Sequence, residues 1–360
     1  MDKIRTAIVG ATGVVGQQFV VALTDHPWFE ISCLAASTRS KDKAYSDALR
    51  DAETGSLRWF CDEPPPTDVL DMVVQDVATL NFSGIDLVFS AVGSNAARPL
   101  EGQIAEKKPV VSTARAYRYE GDVPILVPGV NLAHAQLISV QRRERGWQGF
   151  VVTQPNCTTV GLVYSLKPLL DRFGLERVLM TSLQAVSGAG RSPGVSALDI
   201  IENVVPYIPG EEEAVERETR KILGHYRGQT ITPVDLRVSC TCTRVNVRDG
   251  HTVSVFVSTT RPCTVADVAA AMRAYHGGLD DLGLPSAPTH LLIVHDDPYR
   301  PQPRLDRNTE GGMTTVVGRI REDLALDNGV KYVLLSHNTK MGAAKGAVLV
   351  AEYLVKEAYV

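Results

Sequence analysis

The segment Val151-Val152-Thr153-Gln154-Pro155-Asn156-Cys157-Thr158-Thr159-Val160-Gly161-Leu162 puts a thiol where a β-branched run ends in a Pro-Asn turn and an apolar helical pattern begins. A cysteine at a helix N-terminus faces unpaired backbone N–H groups and the positive end of the helix dipole, which favour thiolate over thiol. Such a thiolate is a nucleophile, and the same N–H groups can hold the oxyanion formed when it attacks a carbonyl. For this segment alone the alternative is a buried cysteine packed as a small hydrophobe. The second chemical signal is Gly10-Ala11-Thr12-Gly13-Val14-Val15-Gly16, between the apolar run Ile4 to Val9 and the helical pattern Gln17 to Leu23. Glycines in a strand-to-helix turn let a pyrophosphate approach the backbone at the helix N-terminus. The spacing is GxxGxxG rather than the commoner GxGxxG, and a tight turn without a ligand would use the same residues. After the strand Glu30 to Ala36 comes Ser37-Thr38-Arg39-Ser40-Lys41, where an NAD site would carry an acid. Hydroxyls and cations suit a 2′-phosphate, so NADP is the expected cofactor; a solvated basic loop is the plain alternative.

The elements around these residues read as βα units. Asp86 to Ala91 is a strand, Asn95 to Lys107 a helix and Pro109 to Ser112 a further strand, which together make a doubly wound sheet. Beyond Cys157 the alternating runs Val178 to Val186, Arg237 to Val247 and Thr252 to Thr259 predict a mixed or antiparallel sheet in a second domain. Asp249-Gly250, between the last two runs, is expected to close a hairpin. Taken alone, Arg244 is a strand-surface cation and His251 a polar residue at a turn. Nothing in the spacing brings either to Cys157.

Composition narrows the function classes. A chain of 360 residues, 44% hydrophobic and 22% charged, is an ordinary globular protein of two domains. A net charge of −4 speaks against general nucleic-acid binding. No run approaches the roughly 18 apolar residues of a membrane span. The chain enters a strand at Ile4, so no signal peptide is expected. Six cysteines do not form a disulfide scaffold: Cys33 and Cys61 stand alone, and Cys240 and Cys242 share one face of a strand. The histidines lack zinc-type spacing. The expectation is a reducing, cytoplasmic compartment and no metal.

The chain resembles the aspartate-semialdehyde dehydrogenases of the archaeal and fungal type over nearly its whole length. The resemblance rests on Gly10-Ala11-Thr12-Gly13 with Gly16, Ala36-Ser37-Thr38-Arg39-Ser40, Pro155-Asn156-Cys157-Thr158-Thr159, Ser187-Gly188-Ala189-Gly190, Ile208-Pro209-Gly210-Glu211-Glu212-Glu213, Arg244 with Asp249-Gly250-His251, Gly311-Gly312-Met313 and His337-Asn338-Thr339. It implies a Rossmann-type NADP-binding domain over residues 1–153, completed by a C-terminal helix in 339–360, and an α+β catalytic and dimerisation domain over 154–338. By resemblance Cys157 is the nucleophile and His251 the general acid/base. Arg118, Gln184, Glu211 and Arg244 bind substrate: Arg118 the phosphate, Glu211 the ammonium and Arg244 the carboxylate. Gly10, Thr12, Gly13, Val14, Val15, Ser37, Arg39, Ser40, Ser187, Gly188 and Asn338 match cofactor contacts. The implied partner is a small acyl phosphate or aldehyde, with neither nucleic acid nor membrane, and the implied assembly a homodimer or homotetramer.

Three segments depart from the family pattern. Ser112-Thr113-Ala114-Arg115-Ala116-Tyr117-Arg118 stands where Ser-Asn-Ala-Lys-Asn-Tyr-Arg is usual; Ala214 replaces a lysine; and Gly190-Arg191-Ser192-Pro193-Gly194 carries arginine in place of an aromatic residue. The alternatives are an acyl-CoA reductase of the same fold, such as a malonyl-CoA reductase, and an NADP-binding regulatory paralogue without catalysis. Glu211 favours the amino-acid substrate, because a malonyl group has no ammonium to pair.

Overall fold

The structure, a computed structural model, describes residues 3–191 and 194–360. Six strands make the first sheet: β1 (Ile4–Val9), β2 (Phe29–Ala36), β3 (Gln75–Asp76), β4 (Leu87–Ser90), β5 (Pro109–Ser112) and β6 (Phe150–Thr153). Every pairing is parallel, in the order β3-β2-β1-β4-β5-β6. Such strands are covered on both faces and therefore read as continuous apolar runs, as Val110-Val111 and Val151-Val152 do. The strand order reverses between β1 and β4, and a ligand crevice opens beyond their carboxyl ends. Gly10 (φ +85°) turns the chain there, and a Cβ on it would lie 2.7 Å from the Ala91 carbonyl oxygen. A Cβ on Gly16 would lie 2.1 Å from the Gly10 oxygen, so the helix Val14–Leu23 sits hard against the turn only because both are glycine. The C-terminal helix Ala344–Lys356 returns to pack on this helix.

The remaining strands are β7 (Leu175–Gln184), β8 (Val204–Val205), β9 (His225–Tyr226), β10 (Ile231–Thr232), β11 (Arg237–Val245), β12 (His251–Thr259), β13 (Leu292–Val294), β14 (Thr315–Asp323) and β15 (Gly329–Ser336). β9 and β10 form a small ribbon; the rest make a mixed sheet in the order β13-β14-β15-β12-β7-β11-β8. The expected hairpin across Asp249-Gly250 is absent. β7 lies between β11 and β12, parallel to the first and antiparallel to the second, so the Asp-Gly link crosses over its end. The continuation of β7 fills the gap: Val186 and Ser187 donate their N–H groups to the carbonyls of Val247 and Arg248.

Helices Cys157–Phe173, Glu211–Ile222 and Val265–Arg273 cover one face of the mixed sheet. Along β7 the residues alternate, with Val178, Met180, Ser182 and Gln184 buried and Leu179, Thr181 and Leu183 exposed on the opposite face. Among the described residues no helix is long and apolar enough to cross a membrane.

Candidate active site

The chain leaves the first sheet at Thr153 and enters the helix under the second sheet at Cys157, so the thiol lies at the crevice between the two sheets. Asn156 caps this helix: its side-chain oxygen accepts from the N–H groups of Thr158 (2.8 Å) and Thr159 (3.3 Å). Two of the N–H groups expected to serve an oxyanion are thereby occupied. Asn156 is itself held, because its N–H donates to Glu218 Oε2 at 2.6 Å. Glu218, fully buried, pairs through Oε1 with Arg118 Nη1 at 3.0 Å.

Strand geometry brings the other groups to the same place. β7 and β11 run parallel in a register that sets Arg244 beside Gln184, both on the helix-covered face. β12 runs the other way, so its first residue, His251, arrives at the edge where β7 and β11 end. His251 Nε2 lies 3.1 Å from Cys157 Sγ. The N–H of Ala185 donates to His251 Nδ1 at 3.0 Å, so the neutral ring keeps its proton on Nε2, facing the sulfur. Arg244 Nη1 donates to the Ala185 carbonyl at 2.9 Å. Gln184 Nε2 donates to Glu211 Oε1 at 2.9 Å, which places the start of the helix Glu211–Ile222 at the same edge. Gly188 closes the roof: a Cβ there would meet Arg244 Nη1 at 3.0 Å and the His251 ring at 3.2 Å. Asn338 ties the roof to the His251 turn, donating to Ser187 Oγ and accepting from the N–H of Gly250, each at 2.8 Å.

The electrostatics differ from the thiolate the sequence suggests. Burial pushes the Cys157 thiol up to about 12, with the Glu211 charge adding to the rise and Arg244 and Arg118 opposing it. Cys157 keeps partial exposure, so its enclosure comes from the crevice walls around it rather than from full coverage. Burial lowers His251 to about 3, helped by the charges of Arg244 and His337. The resting pair is thiol and neutral imidazole. Dehydration outweighs the helix N-terminus because it penalises either charged form in an enclosed site.

Arg118 lies deeper than a simple phosphate ligand. Its Nη1 holds Glu218, its Nη2 donates to the Thr113 carbonyl at 2.7 Å, and its Nε is buried without a partner. Arg115, which differs from the family lysine, is exposed, and its guanidinium lies over Gly210 at the entry of the helix Glu211–Ile222. Ala214 is buried in that helix's inward face.

On the cofactor side Gly13 caps the helix Val14–Leu23 with no side-chain hydrogen bond, and a Cβ there would meet nothing nearer than 3.5 Å. The first N–H groups are thus open to an anion, beside Thr12, Val14 and Val15. Ser37 and Arg39 are exposed beyond β2, and Ser40 is buried. Thr38 is turned away, donating to Asp76 at 3.0 Å. Arg39, Ser40, Lys43, Arg50 and Arg58, with Asp51 and Glu53, line a hollow of about 240 Å³. Arg58 Nε is buried there without a partner. An orphaned guanidinium nitrogen among cations fits a phosphate.

Sequence reasoning missed Glu218, Arg58 and the bracing role of Asn338. Glu218 had a signal: Ala214, Val215, Glu218, Thr219 and Ile222 are the inward stripe of the helix Glu211–Ile222, and a carboxylate on such a stripe needs a partner.

The chain matches a family model described as "Semialdehyde dehydrogenase, NAD binding domain" over residues 5–138 and one described as "Semialdehyde dehydrogenase, dimerisation domain" over residues 166–341. Aspartate-semialdehyde dehydrogenase of Archaeoglobus fulgidus is 45% identical over 356 residues, covering 99% of both chains. Its counterpart from Candida albicans is 43% identical over 369 residues, covering 98% of each. The crystal structure of aspartate semialdehyde dehydrogenase with NADP from Candida albicans superposes with a TM-score of 0.88 at 41% identity, covering 100% of both chains.

Proposed function

The chain belongs to the aspartate-semialdehyde dehydrogenase family, and from that premise we propose how its residues carry the reaction. The activity is NADPH-dependent reductive dephosphorylation of L-4-aspartyl phosphate to L-aspartate 4-semialdehyde. The observation that carries our assignment is the 3.1 Å approach of His251 Nε2 to Cys157 Sγ at a sheet edge shared by Gln184 and Arg244.

Cys157 is the nucleophile. The S–H bond breaks as the sulfur bonds to the acyl carbon, the carbonyl pair moves to oxygen and returns, and the bond to phosphate breaks with its electrons leaving on the phosphate, which carries the thiol proton away. The result is a thioester on Cys157. When bound, the nicotinamide supplies the hydride that takes the thioester to the aldehyde oxidation level. Departure of the aldehyde returns a thiolate, and the Nε2–H of His251 points at it as a donor. Ala185 holds Nδ1 as an acceptor, so this geometry supports the neutral ring as a hydrogen-bond donor that stabilises the sulfur anion, with the proton that restores the thiol coming from solvent. Arg244, fixed by the Ala185 carbonyl, presents its remaining guanidinium donors to the substrate carboxylate. Glu211, oriented by Gln184, takes the substrate ammonium. Arg118 and Arg115 supply the cations for the phosphate, the second replacing the lysine missing at position 214.

NADP rests its pyrophosphate on the open helix start at Gly13 to Val15, next to Gly10 and Thr12, and its 2′-phosphate beside Ser37, Arg39 and Ser40. Ser187, Gly188 and Asn338 form the wall over its nicotinamide end. We assign the open face of β7, with Leu179 and Leu183, to a second copy of the chain. The match of residues 166–341 to a dimerisation domain supports that reading.

Steady-state turnover of aspartate semialdehyde with NADP and phosphate tests the assignment. Phosphate-dependent reduction of NADP is expected. Turnover with coenzyme A but none with phosphate would restore the acyl-CoA reductase reading.

A further inference from the structure

The hollow beyond β2 receives a cation from the other half of the molecule. Arg191 follows the loop Val186–Ala189 and Gly190. Its Nη2 stands 3.8 Å from Asp51 Oδ2, and its guanidinium lies over the Phe60 ring at 5.8 Å. Asp51 Oδ1 is taken by the N–H groups of Glu53 and Thr54, each at 3.0 Å, and Arg58 pairs with Oδ2. Arg191 therefore holds only the longer share of a carboxylate already engaged by others. Burial lowers Arg58, and the charges of Arg191 and Arg39 lower it further, which sets three guanidinium groups within reach of one another. Among the described residues that line the hollow, Arg39, Lys43, Arg50 and Arg58, joined by Arg191, face the two acids Asp51 and Glu53. Such a surplus of cations is satisfied by a dianion rather than by one carboxylate.

The loop that carries Arg191 is the roof of the catalytic pair. Gly188 lies over Arg244 and His251, and Ser187 is tied to Asn338. The three residues from Gly188 to Arg191 span at most about 10 Å. We propose that Arg191 is a ligand of the cofactor's 2′-phosphate, exchanging its long contact with Asp51 for that dianion, and that this bond positions the roof Val186–Gly190 over Cys157 and His251. Arg191 is then a specificity-determining and positioning residue: the 2′-phosphate sets the geometry of a loop at the far end of the cofactor. The inference rests on the placement of NADP given above.

Calorimetric titration with 2′,5′-ADP and with 5′-AMP, which differ by the 2′-phosphate alone, tests the first half on wild type, Arg191→Ala and Arg191→Lys. Wild type binds 2′,5′-ADP more tightly. Arg191→Ala loses about 10-fold or more of that affinity, the scale of one charge-assisted hydrogen bond, with 5′-AMP binding unaltered. Arg191→Lys recovers part of it. Amide hydrogen exchange of residues 186–191 tests the second half: NADP slows exchange in wild type, saturating NAD does not, and NADP has no such effect in Arg191→Ala. Wild type that does not discriminate the two nucleotides overturns the cofactor placement itself. Discrimination retained in Arg191→Ala, or an equal loss for both nucleotides, overturns the role of Arg191 alone. Selective loss of affinity with the NADP protection intact overturns the positioning of the roof.

Discussion

Glu218 is the buried carboxylate on which the cysteine turn rests, and Glu218→Gln tests that dependence with little change of volume. In the native site Oε2 accepts the Asn156 N–H at 2.6 Å and Oε1 accepts Arg118 Nη1 at 3.0 Å. Burial raises the carboxyl, with the Arg118 charge opposing, so the group is poised against its surroundings rather than idle in them. A glutamine offers one acceptor oxygen and one NH₂. Whichever way the amide turns, either the Asn156 N–H or the Arg118 guanidinium faces another donor. Glu218 has no exposure and the Arg118 side chain about 8%, so solvent does not relieve the mismatch. Breaking one side of a buried ion pair costs about 3–5 kcal/mol. At ~2–4 °C per kcal/mol for a domain of 150–250 residues, Tm should fall by roughly 6–20 °C. A shift of Asn156 also moves the sulfur relative to His251, and a misplacement of about 1 Å costs on the order of 10²-fold in kcat. The assay is scanning calorimetry beside aspartate semialdehyde turnover. The double variant Arg118→Met with Glu218→Met removes both charges and should recover much of the stability without recovering turnover. A Glu218→Gln protein with wild-type Tm and kcat would refute the claim that this pair braces the nucleophile.

Three further outcomes are expected. Cys157→Ser should abolish reductase turnover while NADP still binds, because a serine hydroxyl is a far poorer nucleophile here; near-normal turnover measured by steady-state kinetics would remove covalent catalysis. Arg244→Lys should raise the KM for the aldehyde about tenfold or more, since an ammonium cannot both hold the Ala185 carbonyl and grip a carboxylate with two prongs; an unchanged KM takes Arg244 out of the substrate site. Glu101 is raised to about 7 by burial, against hydrogen bonds from Ser112 and Ser90, and its second oxygen has no partner. A carboxyl raised on folding stabilises the protein below its unfolded pKa and loses that contribution as pH rises through the folded value. Thermal melts from pH 5 to pH 8 should therefore show wild type losing ground to Glu101→Gln; parallel curves would mean that Glu101 stays ionised.

What the chain disclosed before folding follows from which forces act locally. β1 and β5 have the bounds their apolar runs suggest, since a strand covered on both faces needs only a short hydrophobic run and a turn. The Asp249-Gly250 turn misled because it specifies a reversal, not a partner. β7, some sixty residues upstream, wins the place between the two strands, and only long-range pairing decides that. The active site divides in the same way. Gln184 and Arg244 end inward-facing stripes, the buried Met180-Ser182-Gln184 and the half-buried Cys240 followed by buried Cys242 and Arg244, and a polar residue closing such a stripe marks the mouth of a core. The ionisation of Cys157 had no such local sign. A helix N-terminus is a property of a few neighbouring residues, whereas the dehydration that outweighs it comes from walls supplied by the second sheet, the helix Glu211–Ile222 and the Gly188 roof. The reactivity of this thiol is thus conditional. In the resting crevice Cys157 and His251 stay neutral, and the thiolate forms only when bound reactants change the charges and the water around the sulfur.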